Sequence, residues 1–353
     1  MKSYSKGLCI TRDLVSAAYD DWSKGAAGRK NRWRVDRDFG GSDAFVDEIT
    51  DEIVTRSLTF DPIRRHKRHE PTNGKLRIIC VESVKQQVCD YLAVMCLSTL
   101  LDAKVGYYQI GSVAGKGGVF ARDAIRRWAH EGVRHRMWYV KSDVRHCYES
   151  IDHMLVMSIL RKYVRSDDVL YLCECLIDTY ETGLDIGSYF SLKMSQLVLS
   201  FAYHRIEGIT KERRGHPVSL IDHQIWNMDD CLFMGTSKRD LKIAVRDLEV
   251  YMANELGLTL KPWKVCLCSD DEPIDICGYR ITPNSVTLRK TLFVKASRSY
   301  RRFENNSTPR LARRCTSYWG WLKHSDSEQY RNKRGVAAAQ GAARKVVSES
   351  DGK

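Results

Sequence analysis

Apolar residues recur at helical spacing through the first sixty positions. DLVSAAYDDW and DAFVDEITDEIVTRSL both repeat them three and four apart, which predicts helices across residues 9–60. RRHKRHEPTNG is turn-rich and predicts a link; KLRIICV behind it predicts a short strand. SVKQQVCDYLAVMCLSTLLD (83–102) predicts a long, largely buried helix, and FARDAIRRWAHEG another after the glycine-rich loop GSVAGKGG (111–118). MWYVKSDV is apolar nearly throughout, the pattern of a buried strand, and it ends on Asp143. Helices follow from about Ile151 and over 168–180, then a loop, ETGLDIGSYFS. The next helix, LKMSQLVLSFAYHRIEG, turns Met194, Leu197, Val198 and Phe201 to one face. IWNMDDCLFM (225–234) predicts a hairpin, SKRDLKIAVRDLEVYMANELG an amphipathic helix and CGYRITPNSVTLRK a second hairpin. From 291 the chain is basic and helical, and VAAAQGAARKVVSESDGK predicts a fraying end. No internal repeat is visible.

The chain has 353 residues, 43% of them hydrophobic, with only 7 prolines, so it can bury a sizeable core. No apolar stretch approaches the ~20 residues that span a bilayer, and MKSYSKGLCITRD is too polar for a secretory signal. The 12 cysteines show no framework spacing; CEC (173–175) and CLC (266–268) are not CxxC pairs. Reduced thiols and a cytoplasmic setting are the expectation. The net charge of +13 suits a polyanion. Basic clusters interleave with aromatics in GRKNRWR (28–34), RKYVR (161–165) and RSYRRF (298–303), beside the purely basic RRHKRH (64–69). That mixture suits surfaces that neutralise phosphates and stack on bases. GSVAGKGG lacks the spacing and ending of a phosphate-binding P-loop.

Asp229 and Asp230 interrupt an otherwise apolar run. One reading is a hairpin tip, where Asp bonds its own backbone. The other is a metal site, because a divalent cation relieves the repulsion of adjacent carboxylates. Such a site needs a further carboxylate, and Asp143 at a strand end supplies it. Two metals can hold the attacking and leaving oxygens of a phosphoryl displacement.

The order of segments resembles bacterial reverse transcriptases of the group that includes group II intron, retron and diversity-generating retroelement enzymes, from about residue 10 to 330. VKSDVRHCYESIDH resembles motif A, TGLDIGSYFS the template-and-nucleotide loop, NMDD motif C and GLTLKPWK motif D. CGYRI resembles the primer grip and KLRIICV the fingers strand. The resemblance implies an α+β, right-hand polymerase fold with fingers, a palm of antiparallel sheet backed by helices, and a helical thumb. It divides the chain into an N-terminal helical extension (1–60), fingers (61–136), palm (137–290), thumb (291–345) and flexible tail (346–353). It implies two Mg²⁺ ions, with Mn²⁺ as a substitute, on Asp143, Asp229, Asp230 and the Val144 backbone. Lys264 would protonate the leaving pyrophosphate, and Lys75 and Arg77 would hold the triphosphate. Tyr148 would lie under the sugar and select deoxynucleotides, and Gly187 would let template or nucleotide approach the backbone. Gly278, Tyr279, Arg298, Arg301 and Arg302 would contact nucleic acid, with Trp319 and Trp321 partly buried.

The sequence departs from the family pattern at Asn227, where an aromatic is usual, at Asp185 for Pro, at Leu192 for Gln, and at Cys147–Tyr148 for paired phenylalanines. The changed neighbours bear on fidelity and processivity. The compact length, DIG and SYWGWLKH most resemble diversity-generating retroelement and phage-defence enzymes. The partners implied are a template or non-coding RNA, dNTPs, the cDNA product, and a small accessory protein or second reverse transcriptase subunit, with no membrane. The alternative reading is a catalytically inactive or non-templated polymerase-derived protein that binds a non-coding RNA in antiphage defence. An RNA-templated RNA polymerase is disfavoured by Tyr148.

Overall fold

In the computed structural model, residues 3–69, 76–132 and 135–351 are described. Helices and strands are mixed along the whole chain. Three helices come first: α1 (Arg12–Lys24), α2 (Ala26–Phe39) and α3 (Ser42–Val54). The Thr11 side chain accepts from Leu14 N and starts α1; Gly40, at φ +78°, ends α2. Next, β1 (Arg64–His69) pairs antiparallel with β2 (Leu76–Val81). The RRHKRH segment is therefore a strand, not the link that its turn-rich surroundings predict. The backbone groups on its inner edge pair with β2, although its side chains are mostly exposed.

The chain continues through α4 (Val84–Lys104), α5 (Gly118–Glu131), β3 (Trp138–Asp143), the short α6 (Cys147–Ser150), α7 (His153–Tyr163) and α8 (Asp167–Ile177). Helix α9 (Tyr189–Glu207) begins inside the segment predicted to be a loop, because the Ser188 side chain caps it by accepting from Ser191 N. Strands β4 (Thr210–Arg213) and β5 (His216–Ser219) form a ribbon, followed by β6 (His223–Asn227), β7 (Asp230–Gly235) and α10 (Lys238–Leu256). Then come β8 (Val265–Leu267), β9 (Ile274–Ile276), β10 (Tyr279–Ile281) and β11 (Val286–Leu288), and the helices α11 (Lys290–Asn305), α12 (Pro309–Lys323), α13 (Glu328–Lys333) and α14 (Val336–Asp351).

Two compact units result. The first holds Met1–Gln109, Asp143–Gly208 and Arg246–Lys261. Helix α4 is its axis, packed by α1, α8 and α9. Val88, Leu92, Leu97 and Leu100 on α4 meet a core that includes Trp22, Phe45, Leu172, Phe190, Met194 and Val198, all essentially inaccessible. A Leu→Ala change in such a core costs about 2–5 kcal/mol.

The second unit holds Ile110–Ser142, Ile209–Val245 and Pro262–Lys353. A four-stranded sheet runs in the order β6-β7-β3-β8, and a three-stranded sheet in the order β11-β10-β9. Strand β7 is buried from Cys231 to Gly235, which explains its unbroken apolar run. Helix α12 packs on α11 and α14. Val336 and Ala343 of α14 are buried, so the small-residue segment expected to fray is a docked helix through Asp351.

Candidate functional site

The hairpin β6–β7 pairs Asn227 with Asp230, so its turn is Met228–Asp229 and Asp230 opens strand β7. Met228 sits in the left-handed region at φ +57°. That costs a side chain about 1–2 kcal/mol, offset here by packing. A Cβ added at Gly111 would stand 2.6 Å from Met228 Cγ and Sδ, so the glycine lets the thioether seat itself. Ile110 N also donates to Trp226 O at 2.8 Å. The glycine-rich loop thus begins by bracing the hairpin tip.

Asp230 is half-buried, with Lys141 Nζ 3.0 Å from its Oδ1. Cys231 Sγ donates to Ser142 O at 3.2 Å. The start of β7 therefore lies against the last turn of β3, the strand that ends on Asp143. Neither Lys141 nor the register was visible in the sequence, since the partners lie far apart along the chain.

Asp143 belongs to the first unit, and Asp229 and Asp230 to the second. Lys261 grips Asp143 twice: its backbone N donates to Asp143 O at 2.8 Å and its Nζ to Asp143 Oδ2 at 3.2 Å. Arg145 N donates to Thr259 O at 2.8 Å, and Val144, its side chain buried, bridges Leu260. Residues 259–261 so fix the turn that leads from β3 to Tyr148. The half-buried Tyr148 accepts at its carbonyl from Leu184 N at 2.8 Å.

That bond docks the loop before α9. Gly183, at φ +62°, lies so close to Glu149 that a Cβ would stand 2.4 Å from its carbonyl oxygen. Gly187, at φ +121°, approaches Cys80 in the same way: a Cβ would stand 2.6 Å from Cys80 O, and Cys80 N donates to Ile186 O at 2.8 Å. The close approach that Gly187 makes here is to strand β2. Arg65 on β1 ties the loop down with bonds of 2.8 Å to Glu181 and 2.8 Å to Asp185. The first unit thus brings together Asp143, Tyr148, Gly187 and the strand that carries Arg77. Arg77 stands opposite Arg68 in the ladder. Like charges so placed repel, and a polyanion relieves them. Lys75 lies outside the described residues.

Beneath the loop is a buried carboxyl pair that sequence reading missed. Asp90 Oδ2 accepts from Ser188 Oγ at 2.8 Å, Tyr189 N at 2.9 Å and Phe190 N at 3.0 Å, at the N-terminus of α9. Burial, reinforced by the Asp90 charge, pushes the Glu82 carboxyl up to about 9. Burial raises Asp90 as well, but its three donors oppose the shift, so Glu82 keeps the proton and Asp90 the charge. Asp90, set among the apolar Val88, Cys89, Leu92 and Ala93 of α4, was the available signal.

In the second unit, Lys264 is exposed and donates to Glu272 at 2.6 Å, a bond that raises the lysine pKa and makes it a weaker acid. Gly278 adopts φ +83°, and a Cβ there would stand 2.6 Å from the Trp321 ring. Tyr279 is buried, with its ring centroid 5.1 Å from that of Trp321. Its ring therefore meets protein, while the neighbouring Arg280 side chain is exposed. On α11, Ala296, Ser299, Tyr300 and Phe303 are buried while Arg298, Arg301 and Arg302 are exposed. Arg298 and Arg301 line a cavity of about 290 Å³ with Phe293, Tyr330 and Arg334. Trp319 and Trp321 are half-buried. Among the described residues no group of three or more His, Cys, Asp or Glu is placed to hold one metal ion.

No family model matches the chain. It is similar to the COX1/OXI3 intron 1 protein of the yeast Saccharomyces cerevisiae, with 22% identity over 319 residues, covering 72% of this chain. The chain spans only 37% of that relative's length. Among solved structures it is similar to apo telomerase from Candida tropicalis truncated from its C-terminal domain, at TM-score 0.46 and 12% identity over 70% of this chain and 61% of that one. Telomerase from the same organism in complex with a TWJ fragment of telomeric RNA gives TM-score 0.47 and 13% identity over 88% of this chain and 57% of that one. No helix among the described residues is long and apolar enough to cross a membrane.

Proposed function

We propose that the chain is an RNA-directed DNA polymerase that makes cDNA from an RNA template. The observation that carries this reading is the strand order: β3, which ends on Asp143, is the sheet neighbour of β7, which opens on Asp230 directly after Asp229 in the turn. Kinship with an intron protein is in keeping with an RNA template. In this reading residues 61–136 are fingers, 137–290 palm and 291–345 thumb, after a helical extension over 1–60, and α14 carries the thumb's last helix on to Asp351. The chain belongs to a diversity-generating retroelement or a related phage-defence system, a choice that the neighbouring genes decide.

The residues fit Mg²⁺ by donor chemistry. Asp143 and Asp230 are oxygen donors that each already hold an ammonium, from Lys261 at 3.2 Å and Lys141 at 3.0 Å. Asp143, Asp229, Asp230 and the Val144 carbonyl would hold two ions, the rest of the shell being water and substrate phosphate. Bound Mg²⁺ supplies charge neutralisation at the displaced and attacking oxygens. The protein's own part is to hold the carboxylates on a braced hairpin and a clamped strand end. Tyr148 sits under the incoming sugar, Arg77 meets the triphosphate beside Lys75, and the α11 arginines hold the duplex. Lys264 reaches the pyrophosphate only by leaving Glu272.

Primer extension on an RNA template, with dNTPs against rNTPs and Mg²⁺ against EDTA, tests the reading. Asp229→Asn should abolish synthesis while the melting curve stays unchanged; extension at the wild-type rate would overturn it. A protein that binds RNA without polymerising would show template binding and no extension in either form.

A further inference from the structure

Helix α2 plays no part in the polymerase reading, yet it carries the most exposed tryptophan among the described residues. Trp33 is 51% exposed. The Arg37 guanidinium lies 4.9 Å and that of Arg34 5.5 Å from the indole centroid. Arg29, Lys30 and Arg32 are exposed on the same helix. Lys30, Arg32 and Arg34 form no ion pair among the described residues.

The opposite face of α2 is fixed. Gly28 packs so closely on α1 that a Cβ would stand 2.1 Å from Trp22 O. Val35 is fully buried, and Phe39 meets Phe45 edge to face with ring centroids 4.6 Å apart. The helix is thus held rigidly by its small and apolar positions and presents an indole among cations. Leaving half of an indole in water forgoes the gain of burying it.

We propose that α2 is a binding surface for unpaired RNA, with Trp33 stacking on a base and Lys30, Arg32 and Arg34 meeting the flanking phosphates. Stacking on an aromatic ring with cations tracking the backbone is how single strands are held without base readout. A base that takes the place of Arg34 on the indole releases that guanidinium to a phosphate. An anionic membrane would also attract the charge, but it needs a broad apolar face, and among the large apolar residues of α2 only Trp33 is exposed.

The test uses the full chain and a labelled oligouridylate, with an RNA hairpin of the same length as control. Trp33→Ala should weaken oligouridylate binding at least about fivefold, since stacking is worth ~1–3 kcal/mol per base, and should affect the hairpin less. Trp33→Phe should recover most of the affinity. The pair Lys30→Glu with Arg34→Glu should lower the log–log salt slope by about 1.4, from two contacts at ~0.7 each. An oligonucleotide carrying 5-iodouridine should photocrosslink to the peptide that holds Trp33. Oligouridylate binding should persist in EDTA, which stops synthesis, so this proposal and the polymerase reading can fail separately. Unchanged affinity in Trp33→Ala, crosslinks confined to other segments, or Trp33-dependent adsorption to phosphatidylglycerol–phosphatidylcholine vesicles would each overturn it.

Discussion

Lys261 Nζ donates to Asp143 Oδ2 at 3.2 Å, and the same two residues are joined again through their main chains at 2.8 Å. The side-chain pair is partly exposed, so it is worth at most about 1 kcal/mol. The ammonium would compete with a divalent cation for this one carboxylate. Lys261→Met should therefore tighten Mn²⁺ binding, by up to about fivefold, as read from the free-ion signal in paramagnetic resonance. Unchanged or weaker binding would show that the pair does not guard a metal site.

Tyr148 holds the loop before α9 through its carbonyl. Its side chain can therefore be truncated while that contact stays. Tyr148→Ala should raise ribonucleotide use relative to deoxynucleotide use by about tenfold or more, on the scale of one lost steric contact, with a modest loss of dNTP incorporation. Competition between dNTP and rNTP in single-nucleotide addition measures it. A constant ratio would assign the ring to packing.

Arg298, Arg301 and Arg302 share the exposed face of α11. Replacing all three with glutamate should shorten products and weaken binding to an RNA–DNA hybrid. The salt slope should fall by about 2–3, near one unit per lost phosphate contact. Single-nucleotide addition at saturating template should not change. Titration across a salt series checks this, and a wild-type slope with full-length products would refute the assignment.

The Glu82–Asp90 pair makes stability depend on pH. The folded state keeps a proton on Glu82 that the unfolded chain releases above its ordinary 4.5. Stability should fall as pH rises from 4.5 to the raised value of about 9, because the folded state binds more protons across that window. Glu82→Gln, which keeps a donor toward Asp90, should flatten the decline. Thermal melting between about pH 6 and 9 measures both slopes; parallel slopes in the two proteins would exclude the pair as the cause.

The helices and both hairpins were legible because their signals are local: period, capping residues and turn chemistry. RRHKRH was not, since a strand of exposed basic residues has no apolar alternation and is defined only by its partner β2. The aspartate doublet pointed to the right hairpin but was one residue out of register, since Met228 takes the left-handed turn position more often given to Gly or Asn. Asp143, Asp229 and Asp230 could be nominated from the sequence, but their counterions could not. Lys141 and Lys261 are ordinary lysines until folding sets them beside carboxylates. Gly187 illustrates a different gap. Its backbone freedom was foreseen, while the neighbour it admits, the Cys80 carbonyl, belongs to a strand far away in sequence.

The ribbon β4–β5 is exposed at every residue, and Leu220 N closes its base by donating to Ile209 O at 3.0 Å. Its residues lie outside the core. It is accordingly the natural port in this molecule: a fluorophore, an affinity tag or a whole reporter domain can be spliced at its Arg214–Gly215 tip, leaving β6 and the aspartate hairpin in register.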